Sequence, residues 1–272
     1  EVGLVGEHSM IFQSHNDGKF GSLVLDKGLS TGTPWEYPSV KLSQLERTHE
    51  NGKLQIAWTG VAHKCERDSG SQASHDFGAL TYASPLHMAI FTQLQVLLKE
   101  VTGSEGALAA PTDEQKVTTG NLTMNRNLGG DHVSGGGGLI DEPVTDGGLP
   151  TGQLTLAFSR YTDAVDSLVS EAQKGQTARQ PKVYKAILTW TGPEISGSAG
   201  PENYKYVEEY PALTVVPDPS ASGGGPGAKV PVEITFQIQT PQTAPDGDMS
   251  WVVVGSTPMR FLIQNNDLVS AA

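Results

Sequence analysis

The chain holds one cysteine, Cys65, among 272 residues. An intramolecular disulfide is thereby excluded, so the fold stands without covalent staples. Long apolar runs are missing too. The longest, such as Val252 to Val254 and Phe261 to Ile263, fall far short of the roughly 20 residues a spanning helix needs, which predicts a chain that does not cross a membrane. Bases are scarce as well: 30 acids face 18 lysines and arginines, for a net charge of −12. The bases lie scattered, as at Lys41, Arg47, Lys53, Lys64 and Arg67, whereas tight binding to a phosphate backbone needs them clustered. Nucleic acid is expected to pass such a surface without sticking. Glu1 opens the chain in place of Met, and no basic, apolar signal segment follows. That opening fits processing or trimming, and no cellular address is read from it.

Turn formers, by contrast, are plentiful. Glycine numbers 32 and proline 17, with 37% hydrophobic and 18% charged residues, a balance that favours many short strands joined by long loops. The expected fold class is mainly β with two flanking helices, in one large domain or two smaller ones.

Strands are read from a period of two. In Val230 to Thr240, Val230, Val232, Ile234, Phe236 and Ile238 alternate with Pro231, Glu233, Thr235, Gln237 and Gln239, which puts the apolar set on one face. The polar row then faces water or another subunit. Pro231 cannot donate to a ladder, so this strand starts there or lies at an edge. Leu54, Ile56 and Trp58 alternate in the same way with Gln55, Ala57 and Thr59, and Lys182 to Trp190 is rich in β-branched and aromatic residues. Trp251 to Val254 and Met259 to Gln264 flank Gly255 to Pro258, which predicts a closing hairpin. Phe20 to Leu25, Gln153 to Phe158 and Tyr204 to Val216, broken at Pro211, complete the set.

Two helices are expected. The first spans 85–101, with Ser84 as N-cap, Pro85 at the first helical position, Gly103 beyond the end and a stripe of Leu86, Ile90, Leu94, Leu97 and Val101. The second spans 163–174, capped by Thr162 and stopped by Gly175, with Tyr161, Val165, Leu168, Val169 and Ala172 on one side. Between them, 102–152 is polar and glycine-rich, including Gly135 to Gly138, and reads as an arm or insertion. Segment 217–229, PDPSASGGGPGAK, reads as a flexible loop. The chain thus divides into an N-terminal β-rich module over 1–101, the insertion 102–152, and a C-terminal module over 153–272.

No motif amounts to a catalytic site. His63 and Cys65 lie two apart, the residue types of a nucleophile and its base, but they fit no known nucleophile framework, and an unpaired cysteine is more often a small buried hydrophobe. His63, Cys65, His75 and Asp76, or His49 and His87, are donors a metal accepts, without the tight ligand pairs of a zinc site. Gly223 to Lys229 lacks both the hydroxyl residue and the helix that a phosphate-binding loop requires. Asp141, Glu142 and Asp146 miss the spacing of a calcium hand and read as solvated loop acids. Asn121-Leu122-Thr123 is a formal glycosylation acceptor with no secretory signal beside it. Tyr204, Tyr206 and Tyr210 with Trp190 have the chemistry to stack sugars, although cross-strand aromatic pairing is the commoner use. The chain is therefore expected to be no enzyme and to carry no cofactor or metal.

From Lys182 to Gln264 the pattern of strands, a long loop, the alternating strand VPVEITFQIQ and a closing hairpin resembles the tail tube subunits of long-tailed bacteriophages. The resemblance implies a β-sandwich or small barrel flanked by a helix, as one module with a long insertion or as two related modules. It implies rings of six copies stacked into a tube, inside a virion assembled in the host cytoplasm. The partners would be further copies of the chain and other tail proteins, with DNA passing through the lumen unbound. That family has no catalytic residues to transfer. The row Glu233, Thr235, Gln237 and Gln239 is the expected lumen wall or interface. A capsid decoration protein, or a monomeric carbohydrate-binding or adhesin module, is the alternative.

Overall fold

In a computed structural model of the chain, the described residues are 6–12, 21–25, 35–50, 53–67, 93–103, 106–126, 128–129, 144–145, 151–174, 181–195, 202–218, 232–245 and 249–265. They form β1 (Gly6–Phe12), β2 (Gly21–Leu25), β3 (Trp35–Glu50), β4 (Lys53–Ala62), β5 (Glu66–Arg67), β6 (Gln93–Glu100), β7 (Glu114–Gln115), β8 (Val117–Asn125), β9 (Leu128–Gly129), β10 (Val144–Thr145), β11 (Thr151–Phe158), α1 (Asp163–Lys174), β12 (Val183–Glu194), β13 (Asn203–Val215), β14 (Val232–Ile238) and β15 (Met259–Asn265). The chain is mainly β. Thirteen strands join one antiparallel sheet in the order β2-β3-β8-β11-β14-β13-β12-β6-β7, with β4 and β5 on β3, β15 on β13 and β1 on β15, while β9 and β10 pair apart.

The period-two pattern predicts the central strands well. On β14, Val232, Ile234, Phe236 and Ile238 are buried, and Leu154, Leu156 and Phe158 of β11 and Leu122 and Met124 of β8 join them in one core. The helix over 163–174 forms as expected: Val165, Leu168, Val169 and Ala172 are buried against β13 and β14. Thr162 accepts from the Val165 amide through its hydroxyl at 3.3 Å, the N-cap role. Tyr161 stands outside that stripe, exposed, and donates to Asp166 at 2.6 Å.

The other expected helix is overturned where it is described. Residues 93–100 are β6, paired residue for residue with β12 from Tyr184↔Glu100 to Thr191↔Gln93; 85–92 lie outside the described residues. Leu94, Leu97 and Val101 have helical spacing, but Leu94, Val96 and Leu98 also alternate, and it is this second set that meets the core. Pairing with the exposed edge of β12 decides between two periods that the local sequence satisfies equally.

Two further expectations change. Segment 102–152 contributes β8, which lies between β3 and β11 and buries Leu122 and Met124; two apolar side chains at a period of two suffice for a central strand. Residues 130–143 of that expected arm, and 219–229 of the expected loop, lie outside the described residues. The closing hairpin does not form. Residues 251–258 hold turns and irregular backbone but no strand, and β15 pairs instead with β1 and β13. Two backbone edges from distant parts of the chain outcompete the local turn.

Strand β13 carries the sheet from one neighbour to the next. Residues 213–215 pair with β14 and residues 205–209 with β15. Between them the β12 register steps from Tyr184↔Leu213 to Ala186↔Tyr210, so Pro211 and Ala212 bulge opposite Lys185. A bulge is where a residue without an amide hydrogen costs no ladder bond. The break expected at Pro211 is therefore a bulge within one strand.

Candidate assembly surface

Strands β4, β3, β8, β11 and β14 lie side by side, and their outward residues fall into cross-strand ranks. One rank runs Gln55, Thr48, Asn121, Thr155 and Thr235; the next runs Ala57, Glu46, Thr123, Gln153 and Gln237. Flanking ranks add Thr59, Gln44, Asn125 and Thr151 on one side, and Thr119, Ala157 and Glu233 on the other. The side chains are mostly amides and hydroxyls. Glu46 and Glu233 are the only charged ones among the residues named, and the register continues past Thr48 and Gln55 to the pair Glu50 and Lys53 at the ends of β3 and β4.

These groups partly satisfy one another. The Thr155 and Thr235 hydroxyls are 3.0 Å apart, Gln237 donates to the Gly152 carbonyl at 2.9 Å, and Gln44 donates to Glu46 at 2.6 Å. Gln239, just past β14, donates to the Thr214 hydroxyl at 3.3 Å. The expected row is thus on the outer face, with Glu233 and Gln239 exposed and Thr235 and Gln237 half-buried. It is one column of a wider surface. Sequence reading missed the columns on β3, β8 and β11, although Thr119, Asn121, Thr123 and Asn125 already alternate with buried Leu122 and Met124.

Beneath this face lies a polar cluster. Arg47 of β3 donates through Nε to Glu208 of β13 at 2.8 Å, through Nη2 to the same carboxylate at 2.5 Å, and through Nη1 to the Gly120 carbonyl at 2.5 Å. Tyr206 and Tyr210 donate to the two Glu208 oxygens at 3.0 and 2.6 Å. Arg47 and Glu208 are fully buried. Burial pushes the Arg47 pKa down, and the Glu208 carboxylate more than reverses this, so the guanidinium stays charged. Burial first, then the same carboxylate, raises both tyrosines and keeps them as donors. The guanidinium also lies 4.6 Å from the centroid of the Trp190 ring on β12. The carboxylate of Glu208 and the Gly120 carbonyl are filled as acceptors, and the network ties β3 to β12 and β13.

No protein-family model and no curated protein matches the chain.

The residues weighed for chemistry fall elsewhere. Cys65 is exposed and close to Tyr37, whose phenol is pushed up by its hydrogen bond with the thiol. His63 is half-buried. Among the described residues no three His, Cys, Asp or Glu side chains gather as metal ligands. His75, Asp76, His87, Asp141, Glu142, Asp146 and both glycine runs lie outside the described residues. Trp190, Tyr206 and Tyr210 are buried. Trp190 and Tyr206 sit opposite each other on β12 and β13 with ring centroids 5.4 Å apart; they are cross-strand pairs, out of reach of a sugar. Asn121 and Thr123 are exposed on the outer face with Leu122 buried between them. Among the described residues no helix is long and apolar enough to cross a membrane, which leaves spanning by strands untouched.

Proposed function

We propose that the chain is a structural subunit of a long-tailed phage tail tube, polymerising as stacked rings around a lumen that conducts DNA. The observation that carries this reading is the ranked outer face of β4, β3, β8, β11 and β14. A wall past which DNA must slide needs polar groups for wetting, no cations to bind phosphate and few features to grip a base. Gln, Thr and Asn ranks with Glu46 and Glu233 among them, and Lys53 confined to the end of β4 opposite Glu50, fit that requirement, and like charge repels the duplex through a field that salt screens.

On this reading the fold is a β-sandwich. Contact of Arg47 on β3 with Trp190 and Glu208 on β12 and β13 supports it, since β3 stands well away from those two in strand order. Further copies and other tail proteins are the partners, the particle is the virion, and segments beside the sheet reach the adjacent ring. Negative-stain electron microscopy of the purified protein across a concentration series tests the proposal. Rings or tubes with a central channel are the expected result. A persistent monomer overturns it in favour of a decoration or carbohydrate-binding module.

A further inference from the structure

Gln93 to Val101 has the make-up of a helix and the fold of a strand. Only Val96 and Val101 in this stretch are β-branched, and none of its residues is aromatic. The others are Gln, Leu, Lys and Glu, which favour helices, and Lys and Glu are depleted in strands. Leu94, Leu97, Leu98 and Val101 fall at i, i+3, i+4 and i+7, a helical stripe. In the sequence that stripe continues upstream at Ile90 and Leu86, behind the start signals Ser84 and Pro85. Gly103 supplies a stop signal: its φ of 88° is the left-handed conformation that a helix adopts just past its last residue. The folded strand depends on partners elsewhere. β12 pairs with each residue from Gln93 to Glu100, and Val96, which lies off the helical stripe, is fully buried in the core. β12 begins only at Val183, so this pairing waits on closure of a long loop, whereas a helical turn needs contacts only four residues apart.

We infer that the segment ending at Val101 is a conformational switch, helical until β12 meets it and converted to β6 by that pairing. The ladder with β12 and the burial of Val96 drive the conversion, since neither is available to the helix. In the folded chain the segment is a strand throughout, and the helix belongs to the chain before the sheet closes. The device has a use. A helix satisfies its own backbone groups, so a segment whose strand partner has not arrived offers no open ladder to other chains while the chain folds. Local preference and final fold conflict here, unlike in β14, and the conflict sets an order: β6 joins after β12 is in place. This inference does not depend on what the chain assembles into.

Refolding of the full chain from urea tests it, with pulsed hydrogen exchange read by mass spectrometry and far-ultraviolet circular dichroism followed in parallel. In the wild type the amides of 97–101, which in a helix bond to the carbonyls of 93–97, are expected to gain protection before those of 184–191. The helical ellipticity at that moment is expected to exceed its native value, which already contains α1. Simultaneous protection of the two segments overturns the inference. So does early protection without excess ellipticity, which would report pairing of β6 with β7 instead. The variant Gln95→Thr with Leu97→Val places β-branched residues at the two half-buried positions flanking Val96, which disfavours the helix and suits the strand. It is expected to lower the early protection of 97–101 about threefold, with a thermal midpoint close to wild type. Unchanged early protection in this variant also overturns the inference. Should the variant fail to fold, the order of protection in the wild type still decides.

Discussion

Arg47 and Glu208 meet face to face in the core, two hydrogen bonds between one guanidinium and one carboxylate, both fully buried and 161 residues apart in sequence. Their side chains enter from different strands, β3 and β13, so the pair reports whether the two are correctly apposed. Desolvation makes such a pair a poor source of net stability, while loss of one partner strands a buried charge.

Single removal should therefore cost far more than joint removal. Arg47→Met or Glu208→Leu alone is expected to destabilise by about 3–5 kcal/mol, and the double variant by much less. Urea denaturation of the three variants checks this. Additive losses would mean that the ion pair is no coupled unit and that each residue acts through its other contacts, the Gly120 carbonyl for one and the two tyrosine hydroxyls for the other.

Stability should also fall on acidification through His49. Its ring is buried edge-on to Trp190, centroids 6.1 Å apart, and among the described residues neither ring nitrogen has a hydrogen-bond partner. Burial, then the charge of Arg47 two residues away, hold its pKa below the ordinary value, and Arg47 itself is held by Glu208. The unfolded chain takes up a proton near pH 6.5 while the folded one resists. The stabilisation is thus complete above about 6.5 and is lost as pH falls below it, by up to about 1.4 kcal/mol per pH unit. Urea midpoints at about pH 7.5 and 5.5 should show a shallower fall for His49→Phe than for wild type. Identical slopes would assign the acid sensitivity to other groups.

Placing cations on the ranked face tests the lumen assignment without touching the core. Glu46 and Glu233 are exposed, so Glu46→Lys with Glu233→Lys should leave the unfolding free energy within about 0.5 kcal/mol of wild type. Phage assembled with this variant should release DNA more slowly, and more so at low salt, because phosphates then meet cations in the channel. Unchanged ejection and infectivity would move these residues out of the lumen.

Much of this architecture was legible from local pattern. Val232 to Ile238, Leu154 to Phe158 and the stripe of α1 each satisfy one period and fail the other, so local sequence settles both their type and their buried face. Gln93 to Glu100 satisfies both periods, and only the partner strand β12 resolves it. The polar cluster was illegible for a different reason. Arg47 and Glu208 look like two surface charges in sequence, and nothing local distinguishes a charge that will find a bidentate partner across the core from one that will stay in water.

By itself the sequence determined a chain without an intramolecular disulfide, acidic, rich in turns, with alternating strands whose apolar sides must be covered and whose polar sides are amide and hydroxyl. Those properties follow from side-chain chemistry and from periods of two or 3.6, which are local. Tertiary structure alone decided that five polar columns align into one ranked face, that β6 is a strand, and that β15 pairs with β1 and β13. Strand partners are chosen by backbone hydrogen bonds between segments far apart in the chain, and no window of neighbouring residues contains that choice.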